Sequence, residues 1–196
     1  MAAPKSTVDL YTDAGVRFER GAWGSVAVRL DESGLLFEAC GEMRDMLTGS
    51  DVCEARAAAN GLHAAILDGI IRKGDRVTIR LDNLIVVQRL KGNKFKKQPA
   101  LDLANAIQTV RSIARDNGVG LSFRHVKGHS SGADVHSAFN RRCDILCSDI
   151  LGTKRTPEQR VCSSRSQIER IAKSKTKVRR MQGVLETVKR LTGVTS

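Results

Sequence analysis

The sequence predicts an α/β domain with a mixed five-stranded sheet and helices on both faces, followed by a basic helical C-terminal extension. Three strand-like segments come first, joined by short turns as in antiparallel hairpins. Two later strands are reached only through helical segments, a pattern that favours a mixed sheet. Beyond residue 151 the chain changes to a basic, amphipathic helical pattern, so we predict domains at 1–151 and 152–196.

Each element has its own signal. The first strand, 8–11, is short and apolar and leads to Asp13; the second, 22–30, contains Gly24, which allows close backbone approach. A turn at 31–34 leads to the third strand, 35–42. Apolar periodicity predicts the remaining elements, which are helices over 51–70, 83–90, 99–117 and 137–151 and strands over 77–81 and 121–126.

Four carboxylates stand at the ends or inner faces of these elements. Asp13 follows the first strand, and Asp82 ends strand 77–81. Glu54 lies in the first turn of an Ala-rich helix, for which Ser50 or Asp51 is the expected N-cap. Asp144 is next to Cys143 on the inward side of the last helix, where either a metal ion or an arginine partner would offset its charge.

These four acids are predicted to meet at one edge of the sheet. Two carboxylates about 4 Å apart repel by roughly 4 kcal/mol at an effective dielectric constant near 20, so a cluster of four needs divalent cations. Oxygen ligands favour Mg²⁺ or Mn²⁺. The alternatives are that Asp82 only caps a helix and that Glu54 only complements a helix dipole.

Five motifs in this order resemble type 1 ribonuclease H over residues 6–151. They are Tyr11-Thr12-Asp13, the helix from Glu54 to Ala58, Leu81-Asp82-Asn83, Val126-Lys127-Gly128-His129 and Asn140-Arg141-Arg142-Cys143-Asp144. The resemblance implies the ribonuclease H-like architecture. It also implies an endonuclease that cuts the RNA strand of RNA–DNA hybrids, with a role in clearing primers or transcripts during DNA replication.

The same resemblance implies roles for single residues. Asp13 would bridge two Mg²⁺ ions, Glu54 and Asp82 would complete one site and Asp144 the other, and the products would carry 5′-phosphate and 3′-hydroxyl ends. His129 would assist proton transfer or product departure. His136 is a rival for that role, whereas the other two histidines, His63 and His125, are expected to pack within the fold.

Nucleic-acid contacts are predicted after the second helix and around the last one. A 2′-hydroxyl would meet Glu54 and nearby backbone. The basic and aromatic residues expected to bind the substrate are Lys94, Phe95, Lys96, Lys97, Lys127, Arg141 and Arg142. A solvated loop is the alternative for 91–97. The chain departs from the family pattern at Ser50-Asp51, at Asn83 and in the segment 16–20 that follows the first acid.

The charge of the chain is concentrated in the predicted tail. The net charge is +12, and residues 152–196 hold 12 Lys and Arg against 3 Asp and Glu. An apolar stripe includes Ile168, Ile171 and Val178, opposite the basic residues. The tail is therefore expected either to dock on the core as a solvated helix or to bind nucleic-acid backbone.

Composition limits the remaining possibilities. The five cysteines, of which Cys143 and Cys147 are four residues apart, are interpreted as structural thiols of a reducing, cytoplasmic compartment. No apolar run approaches the roughly 18 residues of a membrane span, and a monomer is expected. Two other functions stay open: a structure-selective DNA nuclease of the same superfamily, and a non-catalytic nucleic-acid-binding protein on this scaffold.

Overall fold

The computed structural model describes residues 6–18, 20–31, 34–43, 49–95, 98–127, 134–153 and 169–174. Its strands are β1 (Thr7–Arg17), β2 (Arg20–Arg29), β3 (Leu36–Met43), β4 (Arg76–Leu81) and β5 (Gly120–His125). Its helices are α1 (Ser50–Leu67), α2 (Leu84–Leu90), α3 (Leu101–Asp116) and α4 (Val135–Leu151). The sheet order is β3-β2-β1-β4-β5; β1, β2 and β3 pair antiparallel, and β4 and β5 continue parallel to β1. The predicted mixed five-stranded sheet is confirmed.

The element boundaries differ from the prediction at two places that matter. β1 continues through Asp13 to Arg17, because the β1–β2 hairpin stays paired as far as Arg17 and Arg20. Helix α1 has Gly49 as its N-cap and no side-chain cap, so the expected capping by Ser50 or Asp51 is wrong. Asn83, and not Asp82, caps α2 by accepting a hydrogen bond from the Val86 amide.

Two hydrophobic cores lie on the two faces of the sheet. The larger core joins the even-numbered residues of β1, such as Leu10, to α1, α2 and α3. The smaller core joins Tyr11 to α4, where the Tyr11 and Phe139 rings stack with centroids 4.7 Å apart. The two faces follow from the alternation of side chains along β1. Burial of both faces fixes the register of this central strand, which carries Asp13.

Helix α4 lies unusually close to β2. A Cβ atom on Gly24 would stand 2.4 Å from the carbonyl oxygen of Cys143, a distance at which the backbone must shift. The close approach predicted at Gly24 is therefore present, and it seats the helix that carries Asp144 directly on the sheet. The Cys147 thiol donates to the backbone carbonyl of Asp13 across 3.4 Å, which holds the same helix against β1.

A buried ion pair lies at the other end of the sheet, where β4 begins. The Arg29 guanidinium donates to both carboxylate oxygens of Asp75, at 2.7 and 3.3 Å, and also pairs with Asp31. The backbone amides of Ser6 and Arg72 donate to the same Asp75 carboxylate. Asp75 thus has donors for its charge entirely within the fold.

The tail segment that the structure describes packs on the α4 side of the sheet. Residues 169–174 are helical, Ala172 is fully buried in the smaller core, and Ile171 packs against that core. Arg170 and Lys173 are exposed on the same segment. Apart from residues 152 and 153, the rest of the predicted tail domain lies outside the described residues. Among the described helices none is both long and apolar enough to cross a membrane.

Candidate metal and nucleic-acid site

Three of the four predicted acids converge at the carboxyl end of β4. Strands β1 and β4 are parallel neighbours with Tyr11 opposite Arg80, so Asp13 and Asp82 come two residues later on adjacent strands. Helix α1 packs on the same end of the sheet and brings Glu54 from its second turn. Carboxylate oxygens of Asp13, Glu54 and Asp82 all lie within 4.8 Å of one another.

Among the described residues, this three-acid cluster has no cationic partner. Asp13 and Glu54 are each only 8% exposed, yet within the described ranges neither these two nor Asp82 forms an ion pair. The Oε2 atom of Glu54 is buried and has no hydrogen-bond partner there. A buried, unpartnered carboxylate oxygen among other carboxylates is what a hard divalent cation requires of its ligands.

The electrostatics of the cluster agree with that description. Burial, with the charges of Asp82 and Asp144, raises the pKa of Asp13 from its ordinary value near 3.8 to about 8. Burial and the neighbouring Asp13 raise the pKa of Glu54 well above its ordinary value. Both carboxyls therefore hold their protons more strongly than exposed carboxyls do.

Asp144 stands beside the cluster and is not within it. Its charge raises the pKa of both Asp13 and the Cys147 thiol, so it is near the three acids. It is not among the carboxylates that lie within 4.8 Å of one another, and it is half-buried on α4. The structure thus brings together three acids of the predicted quartet and places the fourth next to Asp13.

Three neighbours fix the orientation of the cluster. The Ala14 amide donates to Oδ1 of Asp13 across 2.8 Å. The Asn140 amide, one turn before Asp144 on α4 and 4% exposed, donates to Oδ2 of Asp82 across 3.4 Å. Sequence reasoning quoted Asn140 only as part of a motif and missed this contact; its spacing of four residues from Asp144 was the available signal.

A hydrogen bond joins two positions where the chain departs from the family pattern. The Asn83 side-chain amide donates to Oδ1 of Asp51 across 2.8 Å, while its own Oδ1 caps α2. Asn83 follows Asp82 directly, and Asp51 lies one turn before Glu54. The bond therefore ties the helix that carries Glu54 to the strand end that carries Asp82.

The predicted nucleic-acid residues have different surroundings. Lys94, Phe95 and Lys127 are exposed, and the Arg89 guanidinium lies 4.2 Å from the centroid of the Phe95 ring. His129, Lys96 and Lys97 lie outside the described residues.

The two arginines before Asp144 are partly buried. Arg142 forms a bidentate pair with Glu38 at 2.9 and 2.8 Å, on the part of α4 that faces β3. Two residues correspond to about 200° around a helix, so Arg142 and Asp144 stand on nearly opposite sides of α4. This arrangement accounts for Arg142 without nucleic acid. Arg141 is half-buried.

Two of the histidines differ from the expectation. His63 and His125 are exposed and do not pack in the core; His125 Nε2 forms a 2.9 Å hydrogen bond with the backbone carbonyl of Asp82. His136 Nδ1 lies 2.7 Å from the Tyr11 hydroxyl, and burial raises the pKa of that hydroxyl. This hydrogen bond anchors the start of α4 to β1.

The predicted structural role of the cysteines agrees with their surroundings. Cys53, Cys143 and Cys147 are buried free thiols, and Cys40 is an exposed free thiol. Burial raises the pKa of each buried thiol, which keeps it protonated and unreactive. Cys162 lies outside the described residues.

No protein-family model and no curated protein sequence matches this chain. Solved structures do match. The N-terminal ribonuclease H domain of a Mycobacterium tuberculosis protein is 21% identical over 76% of this chain and 95% of its own, with a TM-score of 0.57. Ribonuclease H1 from the halophilic archaeon Halobacterium salinarum is 24% identical over 74% of this chain and 98% of its own, with a TM-score of 0.56.

A third similar structure was solved with nucleic acid. A ribonuclease H1 isolated from compost by a metagenomic approach, in complex with an RNA/DNA hybrid, is 22% identical over 74% of this chain and 96% of its own, with a TM-score of 0.53. At these identities the comparisons establish the fold. The chain has a type 1 ribonuclease H-like fold, as the motifs predict.

Proposed function

We propose that this protein is a metal-dependent endonuclease that hydrolyses the RNA strand of RNA–DNA hybrids. The observation that carries the proposal is the convergence of Asp13, Glu54 and Asp82 within 4.8 Å, with no cationic partner in the part of the chain that the structure describes, on a ribonuclease H-like fold. The compost enzyme, which has this fold, was solved with an RNA/DNA hybrid. Clearing of primers or transcripts during replication is the corresponding cellular role.

The donor set fits Mg²⁺, with Mn²⁺ as the alternative, because all the ligand atoms are carboxylate oxygens. Asp13 would contribute to two ion sites, with Glu54 and Asp82 completing one and Asp144 the other. Two bound ions would supply a nucleophilic water and stabilise the leaving 3′ oxygen, giving 5′-phosphate and 3′-hydroxyl ends.

The residues around the acids hold them in position for this reaction. The Ala14 amide fixes one oxygen of Asp13, and Asn140 fixes one oxygen of Asp82. Glu54 keeps Oε2 unpartnered and, near a bound RNA strand, would also meet a 2′-hydroxyl. His129 would exchange protons with solvent or assist product departure.

The substrate would be held by cationic and aromatic side chains outside the cluster. Phe95, with the Arg89 guanidinium over its ring, would stack or wedge against the DNA strand while Lys94, Lys96 and Lys97 meet phosphates. Lys127 and Arg141 would line the remaining approach. The basic tail would add contacts with the nucleic-acid backbone, and the protein would act as a monomer.

A cleavage assay on three matched duplexes tests the proposal. An RNA–DNA hybrid, a double-stranded RNA and a double-stranded DNA of one sequence are incubated with the protein and Mg²⁺, with Asp13→Asn as the control. The expected result is cutting of the hybrid's RNA strand alone, lost with the control variant or with chelator. Equal cutting of DNA would overturn the RNA assignment, and chelator-resistant binding without cleavage would identify a non-catalytic protein.

A further inference from the structure

Among the described residues, the helices cover only about half of one sheet face. Helix α4 packs over β1, β2 and β3, on the side opposite α1 and α3. On β4 the residues Val77, Ile79 and Leu81 point into the larger core, so the alternate residues point to the α4 side. With their register partners on β5, these outward residues are Arg76, Thr78, Arg80, Gly120, Ser122 and Arg124, and we call them the β4–β5 arginine face.

The charges of this face are only partly offset. The Nε atom of Arg80 lies 3.3 Å from Oδ1 of the buried Asp9, and its guanidinium lies 5.8 Å from the centroid of the Tyr11 ring. Arg76 and Arg124 are both exposed, and within the ranges that the structure describes neither has an acidic partner. The face is therefore cationic on balance.

Two hydroxyl groups lie between the arginines. Thr78 Oγ1 and Ser122 Oγ are 2.9 Å apart in an exposed pair at the centre of the face. Such a pair engages at most one of its two protons internally, so the other is available to an acceptor in solvent. Arginine and hydroxyl side chains are among the groups that commonly donate to phosphate oxygens of nucleic acids.

The dimensions of the face match a length of nucleic-acid backbone. Arg76 and Arg80 are four residues apart on one strand, a distance of about 13 Å, which is roughly four axial steps of 3.4 Å in a nucleic-acid strand. Arg124 lies beside Arg80 in register. The Arg80 end of the face adjoins Asp82, so the face is continuous with the edge that holds the three-acid cluster.

We infer that the β4–β5 arginine face binds the sugar–phosphate backbone of nucleic acid that extends beyond the three-acid cluster. This inference rests on the proposed function for the presence of nucleic acid at the cluster. Continuity with that edge, together with the hydroxyl pair, favours a phosphate backbone over the acidic surface of a protein partner. The contacts involve no bases, so they are independent of sequence.

Binding of a long RNA–DNA hybrid at several salt concentrations tests the inference. Fluorescence anisotropy is measured in chelator, so no cleavage occurs, for Arg76→Glu/Arg124→Glu and for the control Arg72→Glu/Arg115→Glu. Both pairs change the net charge equally, and the control arginines are exposed elsewhere. Loss of two phosphate contacts is expected to flatten the log–log salt slope by about two and to weaken binding at low salt about tenfold or more.

Each other outcome decides the question. Equal losses of hybrid affinity in the two double variants would mean that only the total charge of the protein matters. An unchanged salt slope would favour an acidic protein as the ligand of the face. Either result overturns the inference. If Arg76→Glu/Arg124→Glu lowers the melting temperature, Arg76→Gln/Arg124→Gln replaces it with the same expected slope change. If the salt slope falls as expected but the parent protein cleaves nothing, the proposed nuclease function is rejected and the inference about the β4–β5 arginine face stands. If the parent cleaves normally and the slope is unchanged, the nuclease function stands and the inference about the face is rejected.

Discussion

An aspartate is buried near each end of the central strands, and the two aspartates differ in how their charge is offset. Asp75, at the start of β4, receives hydrogen bonds from both terminal nitrogens of Arg29 and from the Ser6 and Arg72 amides. Asp13, at the other end, receives one amide hydrogen bond and is otherwise surrounded by acids. The first site is complete without a ligand, whereas the second has no cationic partner among the described residues.

On the proposed function, this difference separates a structural acid, Asp75, from a metal-binding one, Asp13. Breaking the Asp75 site should reduce stability and leave metal binding alone. Breaking the Asp13 site should abolish metal binding and cost little stability, because the charges there are already in conflict.

The largest effect is expected from Glu54→Gln. The amide keeps the shape of the side chain but removes the charge that a cation binds, so hybrid cleavage should fall by about 10³-fold or more. The rise in melting temperature on addition of Mg²⁺ should vanish as well. Glu42→Gln, at an exposed acid of β3, is the matched control and should change neither quantity. Retained Mg²⁺ stabilisation in Glu54→Gln would exclude this residue as a ligand.

Asp75→Asn should have the opposite effects, namely a loss of stability without a loss of Mg²⁺ binding. It leaves the Arg29 guanidinium, which is 4% exposed, without the main partner of its charge, and the free energy of unfolding should fall by about 3–5 kcal/mol. Urea denaturation measures this loss. At a temperature where the variant is folded, its Mg²⁺ affinity should match that of the parent. A weaker affinity would mean that the two ends of the sheet are coupled.

The stability of the chelated protein should depend on pH through Asp13. Its pKa is raised from about 3.8 to about 8 in the folded state, so folding favours the protonated form. The resulting stability is present below pH 4 and is lost as pH rises through 8, by up to about 1.4 kcal/mol per pH unit. Denaturation between pH 5 and pH 8 in chelator measures it.

The comparison with Asp13→Asn isolates that contribution from other titrating groups. The variant has no proton to lose at this position, so its stability should fall less with pH than that of the parent. Saturating Mg²⁺ should also reduce the slope, because the bound cation replaces the proton. Identical slopes in parent and variant would contradict the raised pKa of Asp13.

A smaller effect is expected at the bond between Asp51 and Asn83. Asn83→Asp keeps an oxygen to cap α2 but places two carboxylates in contact, which should weaken Mg²⁺ affinity about tenfold by moving α1 relative to Asp82. The double variant Asp51→Asn/Asn83→Asp reverses the donor and acceptor and should restore the affinity. Isothermal titration with Mg²⁺ measures both. Failure of the double variant to recover would show that the bond does not set the spacing of the acids.

The sequence was sufficient for the fold and for three acids because both follow local rules. Alternation of apolar residues predicts that Asp13 and Asp82 each follow a buried strand segment, and parallel pairing of β1 with β4 brings the two residues together. The contacts of Asn140 and Arg142 could not be predicted in this way. They depend on the rotation of α4 about its own axis, which tertiary packing against β2 and β3 determines.

The histidines show a related limit, because periodicity predicts burial for a residue that is exposed. His125 occupies a position of β5 whose alternation predicts burial, and the strand does place its neighbour Phe123 against the core. Yet β5 is an edge strand, and its last residue extends past the covering helices, so His125 meets solvent and a backbone carbonyl. Periodicity identifies a face; it does not tell how far that face is covered.

The missing side chain at Gly24 has a consequence for how this protein tolerates change. Even a methyl group there would push against the Cys143 carbonyl and lift α4, and with it Asp144, from the strand that holds Asp13. In a selection for the proposed activity, this glycine should accept as few replacements as the acids themselves, although it lies outside the three-acid cluster. Evolution of the proposed site is in this sense constrained by a packing distance between α4 and β2.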